Sequence, residues 1–333
     1  LIQLFLRNPQ VMYGLNGGAG SIMSWVNRAW HALRRNTLKG SRRNISAHYD
    51  LGNELFELFL DDTMMYSCAI FDHPQATLKQ ASVAKLDRVC RKLDLQPGDH
   101  LLEIGSGWGG LAIHAARHYG CRVTTTTISR EQYSLAVERV EQAGLSDRVT
   151  VLCEDYRKLN GQYDKLVSIE MIEAVGHAYF DTYFKKCSEL LKPDGLMLLQ
   201  SITIAEQRYA AAKRSVDFIQ RYIFPGGCLP SVPVLGDAVA RNTDMRIRDL
   251  EDIGPHYATT LRRWRQRFMS RLEAVRACGY PDEFIRMWEY YLCYCEGGFR
   301  ERAIGTVQVL LGKPLNRSEA LLPTLRAAEE RAA

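Results

Sequence analysis

The residues best placed to do chemistry form one short run, Leu101-Leu102-Glu103-Ile104-Gly105-Ser106-Gly107-Trp108-Gly109-Gly110. Glycines directly after an apolar strand let a ligand approach the backbone closely. Gly105, Gly107 and Gly110 satisfy the G-x-G-x-x-G spacing of dinucleotide sites. Two features argue against a dinucleotide. Glu103 stands two residues before the first glycine, where a carboxylate repels a pyrophosphate, and the strand ending near Ile128 offers Thr127 in place of a ribose-binding acid. A carboxylate beside the glycines suits instead a ligand with a cationic end, such as the ammonium of a methionine moiety. A purely structural glycine turn is the competing reading.

The elements that must position this run are legible in the hydrophobic pattern. Helices are predicted over 76–95, 111–119, 131–143 and 177–191, and strands over 100–104, 121–128, 149–153, 165–169 and 196–204, the last after a Pro193-Asp194-Gly195 turn. Such alternation predicts an α/β fold with a mostly parallel sheet flanked by helices. Ligands then sit at the carboxyl ends of the strands, where the strand order switches. The later half reads as helices over 206–222, 233–242, 256–277 and 281–296, closed by a strand over 306–311.

Composition narrows the class. The 333 residues are 46% hydrophobic and 24% charged, which excludes a disordered or collagen-like chain. No apolar run reaches the ~20 residues that span a bilayer. Nine cysteines are scattered without a C-x-x-C pair, so no zinc site, disulfide framework or other metal centre is expected, and a reducing cytoplasm fits. Leu1 is not an initiator methionine, and a further segment is expected upstream. Before Asp50, the first acidic residue, stand Arg7, Arg28, Arg34, Arg35, Lys39, Arg42 and Arg43. The net charge of +5 therefore belongs to the N-terminal arm. Ile22, Val26, Ala29, Trp30 and Leu33 recur beside those charges at helical spacing, behind a glycine-rich linker over 14–21. A basic amphipathic helix of this kind either lies in an anionic lipid interface or docks on protein. No nucleic-acid module accompanies it, so nucleic acid is not an expected partner.

Five ordered stretches carry a resemblance. They are His48-Tyr49-Asp50-Leu51-Gly52-Asn53, Met65-Tyr66-Ser67-Cys68-Ala69-Ile70-Phe71, Glu170-Met171-Ile172-Glu173-Ala174-Val175-Gly176-His177, Ile223-Phe224-Pro225-Gly226-Gly227-Cys228-Leu229-Pro230 and Pro255-His256-Tyr257. With the glycine loop they resemble the cyclopropane-fatty-acyl-phospholipid synthases and the mycolic acid cyclopropane synthases, among class I S-adenosylmethionine-dependent methyltransferases. The resemblance covers roughly residues 44–313 and is nearest to the plant-type branch. It implies a Rossmann-like fold with a mostly parallel seven-stranded sheet and extra helices that form a lid over a lipid site. The expected organisation is a basic arm at 1–43, a catalytic domain at 44–318 and a tail at 319–333.

The resemblance implies transfer of a methylene group from S-adenosylmethionine to a cis double bond of an unsaturated phospholipid acyl chain at the membrane surface. The enzyme would then be cytoplasmic and peripherally associated with the membrane, and a homodimer is left open. A carbocation forms, and bound bicarbonate removes its proton. Residue by residue, the bicarbonate site falls on Cys68, Glu173, Gln200, Ile202 and Tyr257, with Gln200 standing where many members have His. Gln can donate to an anion but cannot carry charge or relay a proton. The methyl donor falls on Tyr66, Ser67, Glu103, Gly105, Gly107, Thr127, Gln132, Asp155 and Tyr156, the last two at the adenine. Ser106 stands where members often have Cys. Tyr49 falls at the mouth of the acyl tunnel, and Phe218, Ile219, Tyr222, Ile223 and Phe224 on the lid. Taken singly, Cys68 and Tyr257 read as core residues, and Asp155 and Glu173 as helix caps. A methyl-branched or methylene product, an amine substrate and a non-catalytic lipid-binding protein are the alternatives.

Overall fold

The computed structural model describes residues 2–7, 36–37, 40–41 and 51–318. Tyr49, most of the basic arm with its linker and amphipathic pattern, and the tail at 319–333 lie outside the described residues. The seven strands are β1 (His100–Ile104), β2 (Arg122–Thr126), β3 (Val149–Leu152), β4 (Tyr163–Ile169), β5 (Leu191–Ile204), β6 (Arg246–Asp252) and β7 (Ile304–Gly312). They form one sheet in the order β3-β2-β1-β4-β5-β7-β6. β1 to β5 are parallel, and β7 runs antiparallel between β5 and β6. The chain winds outward from β1 to β3 and then returns to place β4 on the other side of β1. The strand order switches there, so the backbone leaving β1 and β4 frames the crevice.

Apolar residues fill both faces of the sheet. Leu101, Val123, Val167 and Leu198 pack against the helices Leu78–Lys92 and Gly110–Tyr119. Leu102, Leu166, Met197 and Leu199 pack against the helices Phe180–Leu190 and Val232–Asn242. A third cluster lies beyond the strand ends. It joins the helices Asn53–Phe59, Gly254–Met269 and Asp282–Arg300 around Phe56, Phe59, Trp264, Phe268 and Trp288, each fully buried or nearly so. Burying one such side chain contributes about 1.5–3 kcal/mol. This cluster is the platform from which the strap at 60–71 crosses the glycine loop.

Local signals explain most boundaries. Thr77 and Gln80 close a reciprocal capping box at the start of Leu78–Lys92, and Ser129 caps Arg130–Gln142. The helix predicted over 206–222 is two pieces, Glu206–Ala212 and Phe218–Tyr222, because Asp217 caps a fresh start with Gln220. The helix predicted over 256–277 breaks after Met269 and resumes at Leu272. Pro193-Asp194-Gly195 is an irregularity within β5, marked by a register shift opposite Tyr163 and Lys165. β6 escaped the hydrophobic pattern altogether, since Arg246-Ile247-Arg248-Asp249-Leu250-Glu251-Asp252 is a charged, largely exposed edge strand.

The first residues do not stand clear of the body. Helix Ile2–Arg7 lies on Asp282–Arg300, where the Arg7 guanidinium meets the Glu301 carboxylate at 2.7 Å and Ile2 fills the space above Gly297. Asn36 Nδ2 donates to the Gly226 carbonyl at 2.9 Å, and Arg157 donates to the Asn36 carbonyl and to Ser41 Oγ. Among the described residues no helix is long and apolar enough to cross a membrane.

Candidate active site

The glycine loop turns sharply after β1. Gly105, with φ of +99°, takes a conformation open to glycine, and its amide donates back to the Thr126 carbonyl of β2. Gly110 opens the following helix so close to the strap that a Cβ there would lie 2.3 Å from the Thr63 carbonyl. Arg139 fastens the two together, donating to the carbonyls of Trp108 (2.8 Å) and Asp62 (2.7 Å). Trp108 Nε1 donates to Asn53 Oδ1, which ties the loop to the third cluster.

A cavity of about 370 Å³ runs from this loop beneath the strap and along the ends of β4 and β5. That size is within the roughly 300–1,000 Å³ usual for small-molecule sites. Tyr66, Ser67, Glu103, Gly105, Gly107, Thr127, Gln132, Asp155, Tyr156, Glu173, Ile202 and Tyr257 all line it. Cys68 and Gln200 are fully buried just behind its wall. The structure thus brings together every expected site residue it describes.

At the loop end, Glu103 accepts from Thr125 Oγ1 at 2.6 Å. Burial raises its carboxyl to about 8, against the pull of that hydrogen bond and of Lys85. Thr127 Oγ1 donates to Gln132 Oε1 at 2.9 Å. Asp155 caps its own 3-10 turn by accepting from the Arg157 amide, and its carboxylate is also gripped by the Arg157 side chain at 2.6 and 2.8 Å. The capping role is therefore realised while Asp155 still faces the cavity. Tyr156 sits edge-on to Tyr183, 5.5 Å between ring centres.

At the other end lie two carboxyls three residues apart. Glu173 accepts from Ser201 Oγ (3.0 Å) and from the Ile202 amide, and its Oε2 is buried without a hydrogen-bond partner among the described residues. Burial and, after it, the neighbouring Glu170 raise Glu173 to about 8. Glu170, which directly follows β4, makes the denser set of contacts. Its Oε1 accepts from the Cys68 amide (3.0 Å) and from Gln200 Nε2 (2.7 Å), and its Oε2 accepts from the Tyr257 hydroxyl (2.6 Å). Gln308 Nε2 donates to Gln200 Oε1 from β7 and holds that amide. Cys68 therefore offers its backbone N–H to the site, because burial pushes its thiol far up. Tyr257 serves both readings: it is stacked on Phe299 at 4.4 Å and hydrogen-bonded at its tip.

Glu170 adopts a left-handed backbone, φ of +49°. That region costs a residue with a Cβ roughly 1–2 kcal/mol, and its use beside a cavity points to function. Sequence reasoning passed over Glu170 in favour of Glu173. The signal was present as a second acid in Glu170-Met171-Ile172-Glu173. Lys85 was also missed. It is fully buried on the inner face of Leu78–Lys92, donates to Ser67 Oγ at 3.0 Å and feels both Glu170 and Glu103, while burial lowers it to about 8. The Phe71 amide donates to His256 Nδ1 and closes the strap.

Apolar groups complete the cavity: Ile202, Ile219, Phe224, Leu261 and Ile304. Of the predicted lid, Ile219 and Phe224 face inward, Ile223 is buried, and Tyr222 is 54% exposed. Phe218 meets Tyr290 edge-on at 4.8 Å, giving an aromatic outer surface.

A glycine loop with a carboxylate at the end of β1, under a sheet of this order, is the arrangement of a class I S-adenosylmethionine-dependent methyltransferase. The chain belongs to the mycolic acid cyclopropane synthetase family, which matches residues 36–309. It is 43% identical over 308 residues to the tuberculostearic acid methyltransferase UfaA1 of Mycobacterium tuberculosis, covering 87% of this chain and 72% of that one. It is 43% identical over 267 residues to the cyclopropane-fatty-acyl-phospholipid synthase of Escherichia coli, covering 80% of this chain and 66% of the relative's length. The solved structure of the mycolic acid cyclopropane synthase CmaA1 complexed with SAH and CTAB superposes with a TM-score of 0.76 at 33% identity, covering 82% of this chain and 98% of that one.

Proposed function

We propose that the protein transfers the methyl carbon of S-adenosylmethionine to a cis double bond within a phospholipid acyl chain and closes it to a cyclopropane. The observation that carries this reading is the single cavity that joins a carboxylate-bearing glycine loop to a polar floor under apolar walls. Glu103 would take the methionine ammonium, Thr127 and Gln132 the ribose side, and Asp155 with Tyr156 the adenine. Gly105 and Gly107 let the donor lie against the backbone, and Tyr66 and Ser67 close over it from the strap. The donor supplies an electrophilic methyl on a sulfonium. An alkene needs no activating base, so the protein's work is alignment and exclusion of water. Ile202, Ile219, Phe224 and Leu261 provide dry walls for an acyl chain.

A methylene or methyl-branched product is the second reading, favoured by the likeness to a tuberculostearic acid methyltransferase. The cyclopropane and the methylene product both require loss of a proton after methyl transfer, whereas a saturated methyl branch requires a separate reduction. Lipid extracts of a host supplied with this chain, analysed by mass spectrometry after chemical probing for ring and double bond, decide between them. Absence of any one-carbon addition to unsaturated chains would refute both.

The membrane reading rests on the basic segment. Replacing Arg28, Arg34, Arg35, Lys39, Arg42 and Arg43 by Gln is expected to lower binding to anionic vesicles, by about 1 kcal/mol for each charge that reaches the surface. The difference should fade as salt screens the surface. Flotation assays at low and high salt measure it, and equal binding of both proteins would dismiss the idea. Arg7 is left out because it is already paired with Glu301.

A further inference from the structure

We propose that Glu170 is the base of the reaction, its carboxylate standing where the resemblance places bicarbonate and receiving the proton lost from the transferred methyl group. The inference rests on the function proposed above. Its ground is a conflict over hydrogen-bond donors. Of the five residues on which the bicarbonate site was expected to fall, three already donate to Glu170, through the Cys68 amide, the Gln200 amide and the Tyr257 hydroxyl, and the Ile202 amide donates to the fifth, Glu173. An anion added beside them would meet a carboxylate in place of free donors. These residues therefore do not fit a resident bicarbonate.

The same contacts suit Glu170 to the task. Three donors on its two oxygens favour the ionised form, and Lys85 adds a buried positive charge nearby. Burial works the other way and raises its proton affinity, which a base requires. Glu173 is raised to about 8 by burial and, after it, by the neighbouring Glu170. Glu170 lines the cavity, and Gln308 and the left-handed turn after β4 fix its direction.

The step balances without another reactant. The alkene π pair bonds to the methyl carbon while the C–S bond breaks and leaves its pair on sulfur. The chain is left with a carbocation. Glu170 takes a proton from the new methyl, and the released C–H pair closes the ring onto the cationic carbon. Where a hydride first moves to that carbon, the cation lies on the methyl-bearing carbon and the same proton loss gives a methylene branch on the open chain. The proton passes from Glu170 to water when product leaves.

The test uses the full chain with vesicles of an unsaturated phospholipid and S-adenosylmethionine, in buffer freed of carbon dioxide or supplemented with bicarbonate. Wild type should turn over equally in both. Glu170→Gly should lose about a hundredfold or more in bicarbonate-free buffer and regain at least about tenfold with bicarbonate or formate. Glycine suits the left-handed backbone, so this variant keeps the fold. Glu170→Gln should be slow in every buffer, because its amide still fills the space. The dissociation constant for S-adenosylmethionine should hardly change in either variant. The inference is overturned if wild type slows when bicarbonate is removed, if either variant keeps the wild-type rate, or if neither anion restores Glu170→Gly. A wild-type protein that modifies no lipid in any buffer would instead refute the function proposed above.

Discussion

Glu103→Ala is expected to weaken S-adenosylmethionine binding about ten- to hundredfold, through loss of a charge-assisted contact worth roughly 1.5–3 kcal/mol. The carboxyl is 3% exposed and, without a cation beside it, is raised to about 8. A bound ammonium favours the ionised form, so binding at pH 7 should release a proton, and affinity should rise with pH until about 8. Calorimetry in two buffers of different ionisation enthalpy measures both. An unchanged dissociation constant, or heat independent of buffer, would remove Glu103 from the site. The free protein carries the matching signature. Glu103 and Glu173 hold protons up to about 8 in the folded state but only to about 4.5 when unfolded. The folded state thus binds more protons across that window, and these two groups make stability fall as pH rises through it. Burial holds His100, His114 and His256 below their usual range, so they act in the opposite sense, but only below about 6.5. The fall is therefore expected between about pH 6.5 and 8, and bound S-adenosylmethionine should reduce it.

Gly110→Ala is expected to damage stability and binding together. Its Cβ would lie 2.3 Å from the Thr63 carbonyl and 2.9 Å from Met65 Sδ. The methionine end can swing aside, but the carbonyl cannot move cheaply. Asp61 accepts from the Thr63 amide (2.9 Å) and hydroxyl (2.6 Å), and Arg139 holds the neighbouring Asp62 carbonyl. Overpacking of this kind costs about 1–3 kcal/mol. Because the strap carries Tyr66 and Ser67 into the cavity, affinity for the methyl donor should fall as well. Denaturant midpoints and binding isotherms provide the check, with Gly98→Ala as a control, since a Cβ there meets nothing. A Gly110→Ala protein with both properties of wild type would contradict the close approach.

What could be read from sequence follows the range of the interactions involved. The glycine loop, its carboxylate and the alternating strands were legible because strand, turn and helix start are neighbours in the chain. Site residues from the strap, β5 and the helix Gly254–Met269 came from ordered motifs, since nothing local joins Cys68 to Tyr257. Glu170 was overlooked because its importance arises only when three distant elements point donors at it, and a left-handed residue leaves no periodic trace. Lys85 was hidden for the opposite reason. On an amphipathic helix a lysine reads as a solvated face, and only the fold reveals that this one points inward. β6 lacks an apolar pattern because its partner is on one side only, leaving the other to water.

The left-handed turn at residue 170 has a bearing on how such enzymes diverge. The glutamate codons GAA and GAG become the glycine codons GGA and GGG by a change of the middle base alone. The backbone there already has the shape glycine prefers, so the exchange relaxes the chain instead of disturbing it. If Glu170 is the proton acceptor proposed above, one mutational step would take a lineage from an enzyme that carries its own base to one that must borrow an anion from solution, with the donors of the strap, β5 and Tyr257 left in place for it.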